Sequence, residues 1–315
     1  MGGDDAPRVP VEGACLAAGS FDVSIALVGQ EARIKAELER LGFDPAENRI
    51  TVVDAPEWIE MGESPATALR TKRKASVLLA AEMVAEGKAQ AMLSAGNSGA
   101  AMGAAMWKMG TLQDIERPAI AVVVPHTAGE MIFLDAGATV DCRAHNILQF
   151  GQMGAAYARC RLELDAPRVG LLSIGEEASK GNALTNAAHK LLEESDLNFI
   201  GNIEPHEMMH GSADVVVCDG FVGNIALKTM ESMAEFVMRF VMHHSGNEGS
   251  VNSEKGGLLD ELKKKIDWAE YGGALLLGVK GICIISHGRS TPAAMARAVG
   301  VAHQAVEKQV LASFS

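Results

Sequence analysis

Residues 214–224 read DVVVCDGFVGN, an apolar run that stops at Asp219 and breaks at once into Gly220-Phe221-Val222-Gly223-Asn224. Other apolar runs end in the same manner. Residues 89–93 open into Ser94-Ala95-Gly96-Asn97-Ser98-Gly99, 132–134 into Asp135-Ala136-Gly137, and 169–174 into Gly175-Glu176-Glu177 followed by Lys180-Gly181-Asn182. A buried strand that ends in a glycine turn and passes into a helix exposes backbone N–H groups, a ready site for phosphate or another anion. Several such turns predict one shared cleft.

Working outward, strand-like runs occupy 23–28, 50–53, 91–94, 119–124, 131–134, 169–174, 199–203, 215–218 and 282–285. Helical patterns alternate with them at 31–41, 65–86, 144–161, 183–194, 223–244 and 292–310. The alternation predicts an α/β fold, a doubly wound and mostly parallel sheet with helices on both faces. The runs flanking Thr127-Ala128-Gly129-Glu130 instead predict an antiparallel hairpin. We read residues 1–315 as a single α/β domain with a protruding helical pair around 225–270, whose tip is a polar, mobile loop at 246–257. The opening Met1-Gly2-Gly3-Asp4-Asp5-Ala6-Pro7 is also a glycine turn, leading into a helical pattern at 9–18. No strand-like run precedes it, although such a turn normally hangs from the end of a strand. Either the turn is unsupported or a strand lies upstream of Met1.

A chain of 315 residues with 48% hydrophobic content can bury a large core. Its formal net charge of −12, from 40 acidic and 28 basic residues, argues against nucleic acid as a partner. The cysteines, Cys15, Cys142, Cys160, Cys218 and Cys283, are odd in number and widely spaced, so they predict buried thiols rather than disulfides or a zinc site. Neither a membrane-spanning stretch nor a signal segment is present, and the expected location is the cytoplasm with at most peripheral membrane contact.

In order along residues 1–288, MGGDDAP, SAGNSGA, ERPAIA, LDAGATVDC, GLLSIGEEASKGNALT, FIGNIE, ADVVVCDGFVGNIALK and YGGALLLGVKGICIISHG resemble the PlsX family of acyl-carrier-protein:phosphate acyltransferases. The resemblance implies transfer of a long acyl chain from acyl carrier protein to inorganic phosphate, giving acyl phosphate for phospholipid (phosphatidic acid) synthesis. It also implies a homodimer with a fold like the isocitrate and isopropylmalate dehydrogenases, no cofactor and no metal. Peripheral contact with the membrane and with the next acyltransferase of the pathway follows from the same likeness.

That chemistry suits the residues. Phosphate is itself the nucleophile, so no Ser-His-Asp or Cys-His constellation is needed, and none is evident. What the protein must supply is a cradle for phosphate beside the thioester carbonyl and donors for the developing oxyanion. Lys180 and Asn224 are the expected catalytic residues, a cation and an amide donor at helix starts. Ser94, Asn97 and Ser98 are expected phosphate or substrate contacts, with Gly3, Gly96, Gly99, Gly175, Gly181, Gly220 and Gly223 permitting close backbone approach. Asp4, Asp135, Glu177, Asn182, Asp219 and His287 complete the expected site.

Each has a plainer reading. Lys180 is otherwise a solvated lysine at a helix start, and Asn97 and Asn224 are otherwise helix caps. His287 is otherwise a histidine at the core's edge, and the remaining eight histidines lack metal-ligand spacing. The cluster Arg70, Lys72, Arg73 and Lys74 is either a solvated helix face or a dock for the acidic carrier protein. Met230, Met233, Phe236, Val237, Phe240 and Val241 form an apolar helical stripe, read first as core or dimer packing and second as membrane contact. Departures from the family pattern fall at Thr139, Ser173, Pro205 and Lys280; Pro205 lacks an N–H that a glycine would offer. Two rival functions stay open: a dehydrogenase of the related fold, though no G-x-G-x-x-G turn follows a strand, and an inactive scaffold that binds carrier protein or lipid.

Overall fold

The run at 215–217 is a strand buried on both faces within the larger of two sheets. The computed structural model describes residues 1–46, 49–245 and 273–314. The first part of the chain forms α1 (Arg8–Ser20), β1 (Ile25–Gly29), α2 (Glu31–Arg40), β2 (Ile50–Asp54), α3 (Pro65–Thr71), α4 (Ser76–Ala85), β3 (Ala91–Ser94) and α5 (Ser98–Lys108). There follow β4 (Ala119–His126), β5 (Gly129–Leu134), α6 (Ala144–Arg161), β6 (Val169–Leu172), α7 (Ala183–Glu193), β7 (Phe199–Ile203), α8 (Pro205–His210) and β8 (Val215–Val217). Last come α9 (Gly220–Ser245), β9 (Ala274–Leu277), β10 (Ile282–Ile285) and α10 (Pro292–Glu307).

The larger sheet has eight strands in the order β3-β10-β9-β4-β5-β8-β6-β7, and β1 pairs with β2 in a separate parallel pair. β5, β8, β6 and β7 run parallel, as do β3 and β10. Continuous apolar strands such as Val215-Val216-Val217 fit this mixed, mostly parallel sheet because helices cover both faces. One face buries Leu78, Ala101, Phe133 and Val216 beneath α4, α5 and the first half of α9. The other buries Ile147, Phe150, Leu192 and Ala298 beneath α6, α7 and α10. A small third core joins Val11, Leu27, Ile34 and Ile50 under α1 and α2.

The β4–β5 hairpin forms as the sequence predicts. β9 was not expected as a strand; it lies antiparallel between β4 and β10, its residues 275–277 buried. The helix predicted over 65–86 is two helices, because residues 74–76 turn aside to pair with Glu57: its carboxylate accepts from the Lys74 N–H and its carbonyl from the Ser76 N–H. Pro205 opens α8 at a first-turn position, where a missing N–H costs nothing. α9 has 26 residues, on the order of 39 Å at the helical rise, and Ala226, Leu227 and Met230 join its first half to the core. In its second half Met233, Phe236 and Phe240 are exposed, so among the described residues the core covers Met230 of the stripe but not these three. The rest of the expected helical pair, and the loop at 246–257, lie outside the described residues.

Candidate active site

Asp135 sits directly after β5 and is wholly buried. Its carboxylate accepts backbone N–H groups from Ile120 (2.9 Å), Gly137 (3.1 Å), Ala138 (2.9 Å) and Thr139 (2.6 Å). Burial pushes the carboxyl above its ordinary pKa, while the backbone donors act in the opposite sense. With every donor coming from the protein, Asp135 shapes the 135–139 turn rather than facing solvent. Thr139 extends the scheme by donating its hydroxyl to the Pro118 carbonyl and accepting from the Gly220 N–H.

The neighbouring strand β8 delivers the second turn. Asp219 Oδ1 accepts from the N–H groups of Phe221 and Val222, capping α9. Gly220 and Gly223 let this helix start press on the Asp135 turn: a Cβ on Gly220 would meet Asp135 Oδ2 at 2.6 Å. Asn224 is exposed one turn inside the helix, so it is not the cap, and it lies against Gly137, where an added Cβ would come within 3.3 Å of its own Cβ. An open depression of about 480 Å³ runs from Asn224 past Ile225 and Met233 to Phe236.

β6, on the other side of β8, carries the loop 173–182. Asn182 caps α7 by accepting from the Leu184 and Thr185 N–H groups. Gly181 has φ +105°, a conformation that favours glycine. Lys180 and Glu177 are exposed; the Lys180 stem folds over Gly175, where a Cβ would lie 2.8 Å from its Cγ. Asn202, near the end of β7, donates to the Glu177 carbonyl at 2.9 Å and so ties the loop down. The buried Ser173 Oγ and Asn202 Oδ1 have no hydrogen-bond partner among the described residues.

A second group of turns forms where β3 and β10 end. Gly3 lies against the Ala95 carbonyl, and the Asp4 N–H donates to the Gly288 carbonyl at 3.2 Å. Arg289 stands 3.6 Å from the Asp4 carboxylate, and His287, exposed, accepts the Arg289 N–H at Nδ1. Ser94 Oγ accepts from the Gly96 N–H. Asn97 does cap α5, and its amide donates to the carbonyls of Glu60, Met61 and Glu63. Ser98 is exposed, and Gly99 backs onto Pro65.

The strand directions alter the expectation of one cleft. Antiparallel steps at β10–β9, β9–β4 and β4–β5 reverse β5 relative to β3. The Asp135, Asp219 and Lys180 turns therefore leave one rim of the sheet, and the Gly3, Ser94 and His287 turns the other. The helices that follow the Ser94 and Asp219 turns, α5 and α9, share one face, whereas those that follow the Asp135, Lys180 and His287 turns, α6, α7 and α10, cover the other. Sequence reading missed Thr139, Asn202 and Arg289 as members of these turns. Thr139 was visible only as a departure from the family pattern, and Arg289 had no local signal.

Of the basic cluster, Arg70, Arg73 and Lys74 are exposed beside α5, with Arg73 stacked on exposed Trp107 at 4.5 Å. Lys72 is committed to Glu63 and to the Trp58 carbonyl. Cys142 and Cys218 lie near the Asp135 turn, and burial pushes the first up to about 11 and the second well above its ordinary range. Neither is a ready thiolate nucleophile. Among the described residues no His, Cys, Asp and Glu cluster could hold a metal, and no helix is long and apolar enough to cross a membrane.

Residues 1–313 match the family described as fatty acid synthesis protein. The chain is 46% identical to the phosphate acyltransferase of Pelotomaculum thermopropionicum, over 99% of this chain and 91% of that protein. It is 45% identical to the phosphate acyltransferase of Thermodesulfovibrio yellowstonii, over 100% and 91% respectively. Among solved structures it resembles a phosphotransacetylase from Streptococcus pyogenes, with TM-score 0.63 and 18% identity over 96% of this chain and 93% of that one. The EutD phosphotransacetylase from Staphylococcus aureus gives TM-score 0.61 and 15% identity, over 94% and 89%. The structural likenesses speak to the fold, and the sequence matches to kinship: the chain belongs to the fatty acid synthesis protein family of phosphate acyltransferases, the PlsX family.

Proposed function

We propose that this phosphate acyltransferase takes a long-chain acyl group from the thioester of acyl carrier protein and passes it to inorganic phosphate, giving acyl phosphate for phosphatidic acid synthesis. The observation that carries this reading is the apolar depression along α9, which begins at Asn224 beside the Asp135 turn. From Asn224 to Phe236 the helix advances about 18 Å, enough to lie along an extended acyl chain of long-chain length.

In this reading a phosphate oxygen attacks the thioester carbonyl, the C–O bond forms as the C–S bond breaks, and the carrier leaves as a thiolate that takes its proton from water. Lys180 neutralises the incoming phosphate, and the Asn224 amide donates to the carbonyl oxygen as negative charge develops there. The raised Cys142 and Cys218 thiols favour direct attack over an acyl-enzyme. Arg70, Arg73 and Lys74 form the dock for the acidic carrier, on an otherwise acidic protein. The exposed face of α9 is the surface proposed for homodimer contact, with peripheral membrane contact and the next acyltransferase as further partners. Kinship with the isocitrate and isopropylmalate dehydrogenases is part of the same proposal, supported by the mixed sheet.

The test is release of free carrier thiol from palmitoyl-acyl carrier protein with and without inorganic phosphate, with acyl phosphate trapped by hydroxylamine. Phosphate-dependent release with a trapped product is expected. Release that ignores phosphate, or none from folded protein, would remove the proposal.

A further inference from the structure

The turn that carries Lys180 is fastened to a strand it does not belong to. The Glu177 carbonyl accepts two hydrogen bonds, one from the Lys180 N–H at 2.9 Å and one from the Asn202 side-chain amide, also at 2.9 Å. The first closes the turn, and the second joins it to β7. Gly175 and Gly181 fit the loop closely to its surroundings: a Cβ on Gly175 would stand 2.8 Å from Lys180 Cγ, and one on Gly181 would stand 3.2 Å from Ser173 Oγ.

The anchor is made of buried groups on one sheet face. Leu171 of β6 is in register with Asn202 of β7, and the ladder continues past β6, since the Ser173 N–H donates to the Ile203 carbonyl at 2.9 Å. Alternation along the strands places Leu171, Ser173 and Asn202 on the same face, which α7 covers with Ala188 and Leu192. Ser173 is 8% exposed and Asn202 6%, and neither Ser173 Oγ nor Asn202 Oδ1 has a partner among the described residues. With its amide nitrogen committed to Glu177, Asn202 presents Oδ1 as an acceptor, and the Ser173 hydroxyl can donate. A strand spacing of about 4.8 Å and two residue rises put these diagonal neighbours about 8 Å apart at the backbone. Two short side chains span that gap across one water, which accepts from Ser173 and donates to Asn202.

We propose that Asn202 is a positioning residue for Lys180, itself oriented by the Ser173 hydroxyl across one buried water, so that β7 sets where the Lys180 ammonium stands when phosphate binds. The inference rests on the role proposed above for Lys180, and its first test does not. Amide hydrogen exchange reads the anchor without reference to activity. In Asn202→Ala the Lys180 N–H should exchange at least about tenfold faster than in the parent protein, while the amides of β8 keep their rates. Asn198, just before β7, gives its side-chain amide to the Ala166 carbonyl at 3.0 Å and serves as control: Asn198→Ala should leave exchange at Lys180 unchanged.

Turnover then shows what the anchor serves. Asn202→Ala is expected to raise the KM for inorganic phosphate at least about fivefold in the parent protein and less than about twofold in Lys180→Met, because a lysine that is absent cannot be misplaced. Ser173→Ala, which removes a single hydroxyl, should show the same pattern in smaller measure, and it carries the test if Asn202→Ala does not fold. Unchanged exchange at Lys180, or equal effects on KM in the two backgrounds, overturns the proposal. Faster exchange in Asn202→Ala beside normal turnover in Lys180→Met keeps the anchor and removes the phosphate role given to Lys180.

Discussion

A side-chain carbon on Gly223 would stand 1.9 Å from the carbonyl oxygen of Asp135, and no rotamer relieves a contact between backbone and Cβ. The start of α9 and the turn after β5 are thus in backbone contact. Gly223→Ala is expected to destabilise the protein by roughly 2 kcal/mol, the cost of overpacking exceeding the helical gain of alanine. Activity should fall further than stability because Asn224 moves with the helix. Gly19, near the end of α1 with open space around it, is the control: Gly19→Ala should be neutral or slightly stabilising. Denaturant midpoints for the two variants check the contrast, and equal midpoints would contradict it.

Asn97 and Asn224 have similar surroundings in the sequence but separate roles. Asn97 caps α5 and holds the 60–63 loop through three carbonyls, so Asn97→Ala should cost on the order of 2 kcal/mol. Asn224 is exposed and does not cap its helix, so Asn224→Ala should leave stability within about 0.5 kcal/mol while lowering acyl transfer a hundredfold or so. Unfolding curves and turnover measured on the same preparations decide between these roles.

The start of β6 is stapled to the start of β8 by Arg168, whose N–H, Nε and guanidinium all donate to the Asp214 carboxylate. Burial alone would raise the Asp214 pKa, but the Arg168 hydrogen bonds outweigh it and hold the carboxyl below its ordinary value. A depressed carboxylate pKa contributes stability that is present above the unfolded value of about 3.9 and is lost as pH falls through the folded value. Asp214→Asn should therefore cost on the order of 1 kcal/mol at pH 7, and its deficit should shrink below about pH 4. A deficit independent of pH between 7 and 3 would assign the loss to packing instead.

The glycine turns after apolar runs were legible because strand, turn and helix start are local features. The turns at Ser94–Asn97 and Asp135–Gly137 stand where the pattern put them, while Gly220–Asn224, read as a turn, is already the first turn of α9. Direction was not legible, because β9 reads as a short apolar stretch and its antiparallel insertion is decided by pairing with β4 and β10. That insertion, with the hairpin, divides one expected cleft into turns on two rims. The work of Asp135 was equally hidden. Its location follows from the LDAG sequence, but its donors come from Ile120 and Thr139 through the hairpin.

Lys180 is exposed on the β6–α7 loop, its stem against Gly175 and its backbone N–H given to the Glu177 carbonyl. No ion pair uses its ammonium within 4 Å among those described, so its removal leaves no buried partner behind. Lys180→Met, which keeps the stem over Gly175, should therefore hold stability within about 0.5 kcal/mol. If the ammonium meets phosphate in both ground and transition states, the variant raises the KM for phosphate; if it acts on the developing charge alone, kcat falls a hundredfold or more at unchanged KM. The first outcome is expected, because the role proposed for Lys180 is to neutralise the incoming phosphate, which it meets before the transition state as well as in it. Near-normal kcat and KM in a folded Lys180→Met protein would take this residue out of the mechanism.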